Sequence, residues 1–390
     1  MKKKRKINFF IKIILAIIFF ISLLLPIVYA QSEEETLNEQ QETFGIQEFL
    51  KESKEYAGTF FEDIDMQEIL QEAISGKVNN ETFIQKILSI LGIEVKQSLG
   101  AFASILAIII IHSVLKSISE SLENDSVAKL IYYVQYIAIV TVIMSNFSSI
   151  ITMLRDTVTN LVGFMNSLVP ILIALMVYTG SITTGGVLEP IILFLINFIG
   201  NIMQNILIPL VLVIASLNII SKISDKIQID KISKFLKSSV VWFLGIVLTI
   251  FVGVVSLEGT LSSSVDGITA KTTKAIVSSA IPVVGKILGD TVDSVLGCGI
   301  ILKNAVGMIG VLIVVGICIL PIIKLGTLTI CYNILAGIIE PIADNKIVGV
   351  IEQIGDIFKL LLGILCAISV MIIIGTTLVI RISNSGMMYR

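Results

Sequence analysis

The sequence predicts an all-α, polytopic membrane protein, and three observations carry that prediction. The chain of 390 residues is 55% hydrophobic and only 15% charged, where soluble domains hold about 25% charged residues. Its mean hydropathy is +0.96. Apolar stretches recur at residues 98–118, 130–154, 161–178, 189–220, 238–257, 304–323, 325–339 and 358–380, and a helix needs about 20 apolar residues to cross the hydrocarbon core. Residues 189–220 exceed one straight span and contain Pro209, which implies one kinked helix or two short ones. Residues 325–339 are short for a crossing. Six to eight spans are expected, with seven as the single best count.

The amino terminus, residues 1–30, has a basic head, an apolar run, Pro26 as a breaker and Val28-Tyr29-Ala30 before an acidic stretch. That pattern predicts a secretory signal cleaved after Ala30; an uncleaved signal anchor is the alternative. Residues 31–97 carry fifteen acidic and five basic residues, and either fate of the signal exports them. Within this zone Ile46, Phe49, Tyr56, Phe60 and Ile64, then Ile69 and Ala73, then Ile84, Ile87, Leu91 and Val95 follow helical spacing. They predict amphipathic extracytoplasmic helices, punctuated at Gly76 and at Asn79-Asn80-Glu81. Glutamates dominate the polar faces, so packing on protein is favoured over binding to anionic lipid. The multi-span domain then occupies 98–390.

Charge gives an orientation. Residues 221–237 hold five Lys against two Asp, and the tail carries Arg381 and Arg390 without an acid, so both are expected in the cytoplasm. An exported start and a cytoplasmic end require an odd number of crossings, hence seven. Cys298, Cys318, Cys331 and Cys366 lie in or beside apolar runs without a CxxC pair and read as buried hydrophobes. His112, the one histidine, reads as a helix-end residue rather than a proton relay. "YTGSITTGG", 178–186, reads as a loop. Glu189-Pro190 and Glu340-Pro341 read as helix starts or breaks.

Pro170 and Pro209 are separated like Pro282 and Pro321, and in that register Gly185 falls on Gly297. Repeat units over 161–257 and 275–380 follow from this spacing; units with an odd number of crossings would be inverted. At the start of the second unit, "IPVVGKILGDTVDSVLG" places Pro282, Lys286, Asp290 and Asp293 on one helical face, with Gly285 and Gly289 as a GxxxG contact edge. Lys286 and Asp290, at i and i+4, are spaced to pair. The face suits a polar-lined pathway, an assembly contact, or simple solvation of an interfacial helix. Lys303 and Asn304 stand at the mouth of the next span and extend the candidate pathway or contact, while Lys324 follows Pro321.

The sequence holds no GxxxxGK[ST], HExxH or GxSxG motif and no metal-spaced Cys/His set, and it has no large basic soluble domain. Neither catalysis, a cofactor, a metal nor nucleic-acid binding is expected. Residues 266–310, above all the "IPVVGKILGDTVDSVLG" and "LKNAVG" blocks, resemble the stage III sporulation protein AE family. The resemblance also covers the signal, the polar exported segment, "EVKQSLG" and the multi-span remainder. It implies a non-enzymatic, multi-pass component of the mother-cell membrane surrounding the forespore. That component belongs to a channel or feeding apparatus built with other stage III A membrane proteins, including an ATPase and ring-forming subunits. It implies no catalytic residues. A secondary transporter with a polar site around 286–304, and a scaffold that anchors partners, are the alternatives. The bilayer is a partner in all three, and an oligomer is compatible with each.

Overall fold

The computed structural model describes residues 33–77, 80–121, 125–223, 229–280 and 284–385. All regular structure among them is helical. Three short helices come first: α1 (Glu33–Thr43), α2 (Ile46–Ala57) and α3 (Met66–Ser75). The Asp65 carboxylate caps α3 by accepting from the Gln67 N–H at 2.9 Å. Gly76 ends it in the left-handed conformation, φ 70°, which costs least without a Cβ.

Long helices follow: α4 (Asn80–Ser121), α5 (Asp125–Tyr178), α6 (Ile182–Ile202), α7 (Ile208–Ser221), α8 (Asp230–Ala280), α9 (Val284–Ile339) and α10 (Asn345–Ser385). A π turn at Met203–Leu207 joins α6 to α7 just before Pro209, whose missing N–H disturbs the regular ladder there. The long apolar run at 189–220 is thus one interrupted helical rod. Among the described residues six helical segments are long and apolar enough to cross a membrane: Phe83–Leu115, Lys129–Tyr178, Ile182–Ser221, Asp230–Leu257, Ser294–Ile339 and Asn345–Arg381. The eight apolar stretches reduce to six because two polar interruptions, Arg155–Asn160 and Lys324, lie within unbroken helices rather than turns.

The helices run up and down. At one end Tyr132 of α5 donates from its hydroxyl to the Lys222 carbonyl at 2.8 Å, and Lys346 of α10 stands 5.8 Å over the Tyr132 ring. This is the lysine-rich end. At the other end Tyr178 packs its ring 5.3 Å from Phe44, and Gln40 donates to the Val295 carbonyl at 3.1 Å. Lys303 of α9 reaches the Ile380 carbonyl at 3.2 Å, so α10 finishes toward that second end. Arg381 and Lys222 therefore lie at opposite ends of the bundle, and the expectation that both flank the cytoplasm is corrected. With six alternating rods, α1–α3 and the end of α10 share a side, and the odd count that charge suggested does not arise.

Two further expectations change. The turn between α5 and α6 is confined to Thr179–Ser181, with Gly180 at φ 96°. Thr183 through Gly186 are already helical, and the absent Cβ of Gly185 lets the two rods close up, since it would lie 2.6 Å from Val177. Glu189-Pro190 sits inside α6, whereas Glu340-Pro341 occupies the turn that ends α9. The segments 161–257 and 275–380 each contain a descending rod (α6–α7, α9) followed by an ascending one (α8, α10), so they run in the same direction. Pro282 lies outside the described residues.

One continuous apolar cluster runs through the bundle and takes in α2 and α3. Ile46, Phe49, Ile69 and Ala73 are buried as their spacing predicts. Ile84 and Leu91 are instead 56% and 44% exposed, because they belong to the first turns of the peripheral α4. That helix passes unbroken through residue 97. Val295 to Ile339 of α9 covers about 66 Å at 1.5 Å per residue, well beyond a hydrocarbon core of about 30 Å.

Candidate functional site

Gly285, Lys286, Gly289, Asp290 and Asp293 fall within the first ten residues of α9, and the backbone there is helical as the spacing requires. Their side chains lie outside the described residues, as do residues 1–32 with Ala30 and the side chain of His112. Lys303 and Asn304 lie within them. Lys303 is fully buried, and its Nζ donates to the Ile380 carbonyl across the α9–α10 contact. Gly307, one turn on, has no Cβ where one would come within 2.3 Å of the Ile380 side chain. The close approach of the helices brings the lysine head to a backbone acceptor in a dry setting, where such a bond is stronger than in water. Lys303 thereby ties α10 to α9; Asn304 beside it is half-buried.

A second arrangement joins the acidic amino-terminal helices to the bundle. Phe49 and Tyr56 of α2 pack on Phe164 of α5 with ring centroids 6.0 and 6.3 Å apart. Past α2, Phe61 is wholly buried against the backbone of Gly316 on α9, edge-on to Phe60 and Phe83. Beside this contact lies a cleft of about 540 Å³ between Tyr56 and Phe60, the Thr152–Asn160 turns of α5, and Gly316 to Pro321 of α9. Thr152, Asp156 and Asn160 form its polar wall. It is chemically suited to water or a small polar group, and Asp156 is the one carboxylate lining it.

The third arrangement is a polar seam between α5 and α6. Asn166 and Asn197 exchange amide hydrogen bonds at 3.3 and 2.9 Å, and Gln204 donates to the Thr159 hydroxyl at 2.8 Å. Between these ties Gly200 faces Val162, where a Cβ would stand 2.4 Å from Cγ2. Valine has little rotamer freedom in a helix. Gly200→Ala is therefore expected to destabilise the hairpin by about 1–3 kcal/mol through overpacking, read as a lowered Tm in detergent. Gly245→Ala, whose Cβ meets open space, is expected to keep or raise the Tm. Sequence reasoning passed over this seam; its signal was the recurrence of Thr and Asn at steps of three and four.

Residues 64–383 match the family described as Stage III sporulation protein AE (spore_III_AE). The chain belongs to that family. A relative from Bacillus subtilis (strain 168), named Stage III sporulation protein AE, is 28% identical over 323 residues, covering 82% of this chain and 81% of the relative. No solved structure matches the chain. The family match takes in α3 to α10 almost whole, so Lys303, the polar seam and Gly316 of α9 lie within it, while α1, α2 and Phe61 precede it. This is a multi-pass membrane protein of sporulation.

Proposed function

We propose that the chain is a non-enzymatic membrane component of a transenvelope channel or feeding apparatus between mother cell and forespore. The observation that carries this reading is the shape of the bundle: its rods exceed the bilayer in length, and its amino-terminal helices are docked on the half away from the lysine-rich end. Lysines at the α7–α8 turn favour the cytoplasm, which sets α1–α3 in the space between the two membranes, after removal of the signal at Ala30. There the acidic faces of α1–α3 are available to ring-forming stage III A subunits, while the ATPase partner acts from the mother-cell side. The bilayer is the mother-cell membrane that surrounds the forespore.

A clean deletion in a sporulating strain is expected to stall development after engulfment, with the full-length gene restoring spores. Normal spore yield from the deletion would overturn the proposal. Uptake of a solute by the purified chain alone, in liposomes and without the ATPase, would favour a secondary transporter instead.

A further inference from the structure

We propose that the bilayer crosses this bundle obliquely, nearer the lysine-rich end on the α4–α5 side than on the α8–α10 side. Such a placement is independent of what the bundle conveys, and it leaves α1–α3 outside the membrane.

Four stretches without Asp, Glu, Lys or Arg mark where lipid is tolerated: residues 97–115 of α4, 130–154 of α5, 238–257 of α8 and 360–380 of α10. Each is long enough for one crossing, which needs about 20 residues. They stand at two heights. The α5 and α10 rods run in the same direction, and two contacts fix their register: Phe147 lies 6.0 Å from Phe358 by ring centroids, and the Thr376 hydroxyl lies 3.9 Å from the Met165 sulfur. The offset is 211 in both pairs, so 130–154 of α5 stands beside 341–365 of α10 rather than beside 360–380. The α10 stretch is therefore set farther from the lysine-rich end by 19 residues at one border and 15 at the other, about 28 and 22 Å at 1.5 Å per residue. The α8 stretch keeps the height of α10, because Lys237 pairs with Asp356 at 2.7 Å and Phe251 fills the space beside Gly375. The α4 stretch keeps that of α5. Phe83 meets Phe61 beside Gly316, close to where Gly310 faces Leu168 of α5, and from there α4 runs back toward the lysine-rich end.

No single height serves both sides of an upright bundle. A bilayer set by α8 and α10 would engulf α2, which docks on Gly163 and Phe164 of α5, level with Gly375, and which exposes Glu48, Lys51, Glu52 and Glu55. A bilayer set by α4 and α5 would instead immerse Lys231 and Lys234 of α8 with Glu352 and Lys359 of α10, all exposed. Charges facing hydrocarbon are costly, and an oblique membrane avoids both sets. The exposed apolar side chains follow the same slant. Val114 of α4 and Ile137 of α5 are 56% and 64% exposed near the lysine-rich end, whereas Trp242 and Ile250 of α8 are 72% and 55% exposed farther from it. Tyr133 and Trp242 stand about one turn inside the borders at Lys129 and Lys237, where aromatic rings favour the headgroup level. On the α4–α5 side the far border then falls at Arg155 and Asp156, and Lys324 of α9 stands at nearly that height.

Single cysteines test the slant in two pairs of nearly equal height: Ile137 on α5 with Lys231 on α8, and Gln85 on α4 with Ile250 on α8. All four positions are exposed, so a label leaves the core intact. Each full-length variant carries a bimane label in lipid nanodiscs, where iodide reaches both faces, and the labelling of the unsubstituted chain sets the background. Iodide reports water, and lipids brominated along their chains report hydrocarbon. Ile137→Cys and Ile250→Cys are expected to be quenched several-fold more by brominated lipid, and several-fold less by iodide, than Lys231→Cys and Gln85→Cys. Like behaviour within either pair would show a membrane square to the rods and overturn the proposal, as would the opposite ranking. Shielding of any of the four from both quenchers would put protein where lipid or water is assigned, and would overturn it too.

Discussion

Phe61→Ala is expected to release the amino-terminal helices from the membrane bundle. The side chain is fully buried, and its ring edge lies where a Cβ on Gly316 would be 2.3 Å away, so the contact is ring against helix backbone. Truncating a buried phenylalanine costs about 3–5 kcal/mol. Charged to the docking of α2 and α3 rather than to the whole bundle, this raises the undocked population by roughly a hundredfold or more. Native-state proteolysis of the purified protein between residues 58 and 66 reads that population, while the Tm of the bundle in detergent reads the remainder. The mechanism makes a second demand. Gly316→Ala is expected to undock the same helices by collision with the Phe61 ring, but Phe61→Ala removes the object of that collision. The double variant should then be less destabilised than the sum of the two single ones. Cleavage that is unchanged in Phe61→Ala, or additive losses in the double variant, would refute this contact as the anchor.

The anchor also marks the limit of what the sequence discloses. Ile46, Phe49, Ile69 and Ala73 announce a buried face through their spacing, and the structure buries them. The surface that receives them has no such signature. Gly316 sits in a run of Val, Ile and Leu, and nothing local distinguishes a glycine that accepts a phenylalanine from one such as Gly326 that faces open space. The six candidate spans among the described residues fall within the expected six to eight, one below the best count of seven. A window of mean hydropathy falls equally for a turn and for a polar patch on one side of a long helix, so Arg155–Asn160 in α5 read as a gap between spans. The face periodicity of Thr141 to Thr159 resolves the difference, because a turn would have broken the three-four step. Charge counting misplaced the carboxyl terminus for a related reason. A single Arg381 beside the last apolar run is weak testimony against five lysines at the α7–α8 connection, and both cannot lie on one side of six rods.

Lys303→Glu is expected to be the most damaging single substitution in the bundle. The lysine was picked from the sequence as a residue at the mouth of a span that extends the candidate pathway or contact. Its actual partner, the Ile380 carbonyl, lies 77 positions away in the chain, and a backbone carbonyl has no sequence signature. Glutamate at 303 would set a carboxylate against an acceptor in a dry contact, leaving a buried charge without its counterpart at a cost of about 3–5 kcal/mol. Lys303→Met keeps the length of the apolar stem and forfeits the donor, for about 1–3 kcal/mol. Tm in detergent and accumulation in the membrane should therefore rank wild type above Lys303→Met, and Lys303→Glu far below both. Sporulation then separates a tie from a conduit residue. If Lys303→Met loses stability but sporulates in proportion to the protein that accumulates, the amine is needed only to hold α10 against α9. Normal accumulation with failed sporulation would instead return Lys303 to the transport path that its position after Asp290 and Asp293 first suggested, and equal stability of the Met and Glu variants would show that the Ile380 tie carries no weight.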